Sequence, residues 1–132
     1  LKLIPTDDLI ARLLEQANVV ASCAVDHECL IHGDLYFPHL LLDHGQLSGV
    51  IDWGDMHIGD PAMDLAIAFQ YFPAAVRPAL LGSYGPSTED MLLRARLWAA
   101  YSSVTLIWYG YHNNKGDLVE RGLLVCKNVL ET

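Results

Sequence analysis

The stretch from Leu30 to Leu65, LIHGDLYFPHLLLDHGQLSGVIDWGDMHIGDPAMDL, restricts the fold more than any other part of the chain. Three apolar runs end in it at polar or acidic residues: Cys29–Ile31 before His32-Gly33-Asp34, Leu40–Leu42 before Asp43, and Leu47–Ile51 before Asp52. Runs this short, bounded by Gly and Asp, read as strands rather than helices. Asp43-His44-Gly45-Gln46 reads as the turn of a hairpin, with Gly45 free to take a positive φ. Asp34 and Asp52 then both leave strand ends, where a rigid scaffold can aim two carboxylates into one cleft.

Helical patterning surrounds this strand set. Thr6 with Asp7 and Asp8 offers a cap and two acids at the positive end of a helix dipole. Leu9, Leu13, Ala17, Val20, Ala21 and Ala24 follow as an apolar face, with Arg12, Glu15 and Gln16 turned to water. Trp53 to Gly59 reads as a loop. Asp60 and Pro61 then mark a helix start, as N-cap and first helical residue, with Leu65, Ala68, Phe69 and Phe72 as its apolar face. Pro73 and Pro78 predict a break and a short helix near 76–81, ended by Gly82 or Gly85. Ser87 with Asp90 predicts a capping box for the longest helix, Thr88 to about His112. Asn113-Asn114-Lys115-Gly116 closes it, and Asp117 with Glu120 predicts a capped final helix. The expectation is one α+β domain over 1–132, mostly helical around a small strand set.

Two carboxylates at strand ends suit phosphoryl transfer, in which one orients or deprotonates the attacking hydroxyl and the other holds a metal on the phosphates. The words His32-Gly33-Asp34-Leu35, Ile51-Asp52-Trp53-Gly54-Asp55 and Gly59-Asp60-Pro61-Ala62-Met63-Asp64-Leu65-Ala66 occur in order. In them the chain resembles the catalytic half of the aminoglycoside phosphotransferase and choline-kinase-like family. The resemblance implies a protein-kinase-like C-terminal lobe and a small-molecule kinase that uses ATP, or GTP in its place, with Mg²⁺. Its acceptor would be an aminoglycoside or another small alcohol.

By the same resemblance Asp34 is the catalytic aspartate and Asp52 the metal-binding one, with Asp64 bracing the backbone of the His32-Gly33-Asp34 loop. Asp60, which also caps its helix, and His32 help fix the site. His39 stands where the family usually has Asn at a metal ligand position. Imidazole suits Mn²⁺ or Zn²⁺ better than Mg²⁺, so His39 either changes the metal preference or bonds to Asp34 or phosphate instead. Tyr36 likewise replaces the more usual His. On the long helix Trp98, Tyr101, Thr105, Trp108 and His112 recur at steps of three and four and share one stripe, which reads either as core or as the lining of an acceptor pocket.

The formal net charge of -8 and the eight scattered Lys and Arg disfavour a nucleic-acid partner. The longest uncharged stretch, Leu97–Tyr111, falls short of the ~20 residues of a membrane span. No basic segment with an apolar signal core stands at the start, and a cytoplasmic protein is expected. Cys23, Cys29 and Cys126 show no disulfide or redox spacing, and Cys23, His27, Cys29 and His32 match no common zinc pattern.

Lys2, Lys115 and Lys127 are the only lysines, and no Gly-rich loop precedes Asp34. The nucleotide-covering N-terminal lobe of such kinases, with its strand-borne Lys, is therefore expected to be absent from this chain. Two other readings follow from that. One is a non-catalytic domain that oligomerises or binds a partner through the uncovered face. The other is a metal-dependent phosphohydrolase built on His39, Asp34 and Asp52.

Overall fold

The computed structural model describes residues 6–130, and for residues 6–10, 13 and 16 the backbone alone. The chain runs through α1 (Thr6–Val20), β1 (Cys29–Ile31), β2 (Leu40–Asp43), β3 (Gln46–Val50), β4 (His57–Gly59), α2 (Ala62–Leu65), α3 (Ile67–Tyr71), α4 (Arg77–Tyr84), α5 (Glu89–His112) and α6 (Gly116–Leu130). Single 3-10 turns cover Phe37–His39 and Trp53–Asp55.

The strands form two antiparallel pairs. β2 and β3 make the expected hairpin, with Leu40 opposite Val50 and Asp43 opposite Gln46. Its turn has positive φ at both His44 and Gly45, which matches the twist of the flanking strands. The second pair was not legible in the sequence. β1 pairs with β4, Cys29 opposite Gly59 and Ile31 opposite His57, inside the segment expected to be a loop. Only three residues long and mostly exposed, β4 lacks the apolar run that announces a strand.

α1 stops at Val20 rather than reaching Ala24; single-turn bonds such as Ser22 N–H to the Val19 carbonyl unwind it. The expected cap at Thr6, Asp7 and Asp8 and the face positions Leu9 and Leu13 lie outside the described side chains. The start of α2 uses Asp60, whose Oδ1 accepts from the Ala62 N–H at 3.0 Å while its carbonyl accepts from Met63 N–H at 3.1 Å. Gly85, at φ +116, ends α4.

The cap of α5 is Thr88, not Ser87: Thr88 Oγ1 accepts from Met91 N–H at 3.2 Å and donates to Asp26 Oδ2 at 2.6 Å. α6 begins one residue before Asp117, on the Lys115 carbonyl, so Asp117 sits in the first turn instead of capping it. Its charge there still complements the helix dipole.

The core is made of small residues. Ala62 of α2, Ala66 at its junction with α3 and Ala68 of α3 meet Ala95, Ala99 and Ala100 of α5, with Phe69, Met91, Val125 and Val129 filling between them. α5 and α6 pack as an antiparallel pair across a short turn. Gly122 is what lets them close: a Cβ there would stand 2.9 Å from the Ser103 carbonyl oxygen and closer still to Ile107. No helix among the described residues is long and apolar enough to cross a membrane.

Candidate active site

The loop His32-Gly33-Asp34 leaves β1 and is held from beneath by α2. Asp64 Oδ2 accepts from His32 N–H at 2.7 Å and Oδ1 from Gly33 N–H at 3.1 Å. A carboxylate taking two backbone donors makes charge-assisted bonds and keeps both N–H groups satisfied where water is excluded. Gly33 is buried at φ +83, and a Cβ on it would collide with the Asp55 carbonyl oxygen. Only glycine combines that φ with that approach.

His32, 2% exposed, is bonded through both ring nitrogens. Nε2 lies 2.8 Å from the Ile51 carbonyl oxygen, an acceptor, and Nδ1 accepts from Asp34 N–H at 3.3 Å. These partners select the neutral tautomer with the proton on Nε2. The ring thus joins the end of β1 to the chain leaving β3, with Trp53 against it at 4.7 Å between centroids.

His39 is buried, and its Nδ1 lies 2.9 Å from the Asp34 carbonyl oxygen, so that nitrogen carries a proton. Its Nε2 is 3.4 Å from Asp52 Oδ2. One imidazole therefore bonds the main chain of Asp34 and sets its other nitrogen beside the carboxylate of Asp52, with which it forms an ion pair only when the ring is protonated. Tyr36 packs on it at 4.0 Å between centroids. Burial pushes the Tyr36 phenol above its usual pKa, and the charges of Asp34 and Asp52 push the same way.

Asp52 takes a left-handed backbone, φ 64 and ψ 56, while its side chain is 66% exposed. Asp tolerates this conformation better than most residues, at a cost of order 1 kcal/mol. No cluster of three or more His, Cys, Asp or Glu side chains able to hold a metal occurs among the described residues. The pair His39 Nε2 and Asp52 Oδ2 nevertheless fits a cation held chiefly by nucleotide phosphates, which needs only one or two protein donors.

Asp34 also lines a cavity of about 200 Å³ between the His32-Gly33-Asp34 loop, α2, α3 and α5. Trp98 and Tyr101 of the helical stripe line it as well, in edge-to-face contact at 6.0 Å. Trp108 and His112 do not: they pack against each other with tilted rings, 4.5 Å between centroids, on the exposed end of α5. The stripe is thus neither buried core nor one continuous lining. α5 is long enough for its two halves to face different surroundings.

Asp60 does more than cap α2. Its Oδ2 accepts from Arg94 Nε at 2.7 Å, and Arg94, 5% exposed, also donates to the Ala24 carbonyl. Asp55 contributes its main-chain oxygen, which lies 2.7 Å from His57 Nδ1. Sequence reasoning missed Arg94, His57 and Gln70. An Arg interrupting the otherwise apolar row Met91, Ala95 and Ala99 was the available signal for the first, and a Gln beside Phe69 for the last.

The sequence model of the phosphotransferase enzyme family matches residues 2–103. Over 71 residues, 53% of this chain and 21% of the relative, the sequence is 35% identical to the uncharacterized protein YcbJ of Bacillus subtilis (strain 168). The fold is similar to the GDP complex of aminoglycoside 2'-phosphotransferase-IIIa, with a TM-score of 0.67 and 21% identity over 93% of this chain and 44% of that one. It is also similar to a thermostable mutant of aminoglycoside phosphotransferase APH(4)-Ia in ternary complex with ADP and hygromycin B, with a TM-score of 0.52 and 20% identity over 96% and 45% of the two chains. The chain spans less than half the length of each of these proteins. With the family pattern running through more than two thirds of its residues, on the fold those enzymes share, this chain belongs to the phosphotransferase enzyme family.

Proposed function

We propose that this chain is the catalytic and acceptor-binding lobe of a small-molecule kinase, transferring the γ-phosphoryl group of ATP or GTP to a hydroxyl of a small acceptor. The observation that carries this reading is the linkage at His39: its ring bonds the main chain of Asp34, whose loop lies over a cavity, and faces the strand-end carboxylate Asp52 at 3.4 Å. The nucleotide complexes among the similar structures support a nucleotide beside that linkage.

In this reading the acceptor hydroxyl sits in the cavity within reach of Asp34. The acceptor oxygen forms the new bond to γ-phosphorus, the bond from γ-phosphorus to the β,γ-bridging oxygen breaks, and its electron pair leaves with the nucleoside diphosphate. The hydroxyl proton passes to the Asp34 carboxylate. Most of the benefit is positional, because an oriented hydroxyl removes much of the entropic barrier. Asp64, His32 and Gly33 hold Asp34 by fixing its loop. Asp52 and His39 would hold a divalent cation, which when bound neutralises charge on the phosphates. A second lobe covering the nucleotide completes the site. The exposed apolar side chains Leu30, Ile58, Leu41 and Leu47 on the strand pairs suit such a cover.

Titration of Mg–ATP and Mn–ATP into the full-length protein and its Asp52→Asn variant tests the nucleotide site, and turnover of Asp34→Asn tests the acceptor side. Loss of binding in the first and a fall of about 10²–10⁴ in kcat in the second are expected. Unchanged binding and full turnover overturn the reading.

A further inference from the structure

A second cavity, of about 450 Å³, lies between β1, α2 and α4. It is more than twice the volume of the one at Asp34, and its size falls within the ~300–1,000 Å³ of small-molecule sites. Most of its lining is apolar: Ile31 of β1, Leu65 of α2, Ile67 of α3 and Leu80 of α4, together with Leu35. Keeping such walls wet costs roughly 25 cal/mol for each Å² of apolar surface, which an apolar occupant recovers. Leu35 follows Asp34 in the chain and lines both cavities. A side chain bordered by two open spaces lacks contact partners that a filled cavity would supply.

The polar groups of this lining define the charge of what it can hold. No Lys, Arg or His lines the cavity, and its carboxylate is Asp64, so an anion meets repulsion and no partner. An ammonium gains little either, because both Asp64 oxygens already accept from His32 N–H and Gly33 N–H. Ser83 Oγ donates to the Ala79 carbonyl at 2.9 Å. The Tyr84 hydroxyl has no hydrogen-bond partner among the described residues and is left for a ligand. Burial pushes its pKa up, and Cys29, Asp64 and Asp60 push the same way, so it stays a donor.

We propose that this second cavity is a ligand site for a compact, uncharged, largely apolar molecule bearing one hydroxyl or carbonyl, which hydrogen-bonds Tyr84, packs on Leu35 and steadies the loop bearing Asp34. The loop responds because the cavity shares Leu35 and Asp64 with it: the first follows Asp34 and the second holds the two residues before it. Binding stands apart from the phosphotransfer reading, whereas a rise in turnover from a steadied Asp34 rests on it.

Cys29 makes the test local. It lines this cavity, no cysteine lines the one at Asp34, and Cys23, likewise partly exposed, lines neither. In the full-length protein, 2-naphthol at about ten times its Kd is expected to slow alkylation of Cys29 at least about fivefold, read by mass spectrometry, and to leave Cys23 unchanged. Amide hydrogen exchange over residues 32–36 slows with it. 2-Naphthoate and naphthylmethylamine are expected to bind at least about tenfold more weakly by calorimetry, and Ser83→Trp, at an exposed lining position, to weaken 2-naphthol by about the same factor. An unchanged Cys29 rate, equal slowing at Cys23, tighter binding of either charged probe, or unslowed exchange over 32–36 overturns the proposal. Should Ser83→Trp not fold, the Cys29 rates and the charged probes on the unmodified protein decide. Phosphoryl transfer from ATP is measured in parallel. Protected Cys29 and slowed exchange in a protein that transfers no phosphoryl group leave the ligand site standing and sink the kinase reading. Transfer with Cys29 unprotected does the reverse.

Discussion

Arg94 of α5 reaches Asp60 at the start of α2 with two contacts, Nε to Oδ2 at 2.7 Å and Nη2 to Oδ1 at 3.3 Å. The pair fastens the helix that carries Asp64 to the longest helix of the fold, and the hydrogen bond that Arg94 donates to Asp60 pushes the guanidinium pKa further up, holding it charged. Removing one partner strands a buried charge. Arg94→Leu is expected to lower stability by about 3 kcal/mol, read as the urea midpoint. Arg94→Lys recovers little of it, because an ammonium cannot reproduce the planar fork. Retention of the full midpoint in Arg94→Leu refutes the brace.

Asp64 has a different task. Its two oxygens satisfy His32 N–H and Gly33 N–H, so Asp64→Ala leaves both donors without an acceptor. A loss of about 2–4 kcal/mol follows from two unmet buried groups. Because the loop carries Asp34, kcat should fall while the nucleotide KM stays within a few-fold. Asp64→Asn should lie between, since one of its amide atoms faces a donor with a donor of its own. An equal fall in kcat and rise in KM would place the effect at the nucleotide instead.

Much of this was legible in the residues. The hairpin, the strand before Asp34 and the helix start at Asp60 follow from short apolar runs and capping chemistry, which are local. What escaped is what depends on distant partners. β4 forms because β1 offers it an edge, and neither Met56 nor His57 signals pairing. Thr88 outcompetes Ser87 as a cap because its hydroxyl also finds Asp26, 62 positions away. Trp98 and Trp108 share a helical stripe, but only tertiary packing decides that the first meets a cavity and the second meets water.

Gly33 joins conformation to sterics. Its φ of +83 and the Asp55 carbonyl against its missing side chain mean that Gly33→Ala must move either the loop bearing Asp34 or the turn after Asp52. Activity is expected to fall at least about 100-fold, as a displacement of ~1 Å near reacting atoms does. Circular dichroism should remain that of a folded protein. Gly45→Ala, with nothing near its Cβ, carries only the backbone cost of about 1 kcal/mol and should leave activity unchanged. Comparable losses in both variants would show that space at Gly33 is not the cause.

Tyr71 sets an alkaline limit. Burial raises its phenol above the unfolded value near 10, against smaller downward effects from a hydrogen bond with the Phe37 backbone and from Arg121. As pH rises past about 10 the unfolded chain loses this proton first, so stability present below that pH is lost until the folded phenol also ionises. The urea midpoint should therefore drop between about pH 9 and pH 11, and drop less in Tyr71→Phe. Tyr36 and Tyr84, both raised by burial, and the raised Cys23 thiol act in the same direction. An identical drop in Tyr71→Phe would remove Tyr71 as the cause.

His39 offers two nitrogens to two different tasks. Nδ1 bonds the Asp34 carbonyl oxygen and needs its proton, whereas Nε2 faces Asp52 and in the neutral ring presents a lone pair there. Imidazole nitrogen favours Mn²⁺ over Mg²⁺, while an amide oxygen is the harder donor. If the ring is a ligand, His39→Asn should reduce the ratio of Mn–ATP to Mg–ATP affinity by roughly tenfold, about 1.4 kcal/mol. If its task is only to hold Asp34, the ratio stays constant and kcat falls with either metal. Asp52→Asn provides the reference, since losing the carboxylate should weaken both nucleotide complexes together. The His39→Asn ratio measured against that background separates ligation from positioning, because the packing lost with the ring acts equally on both metals.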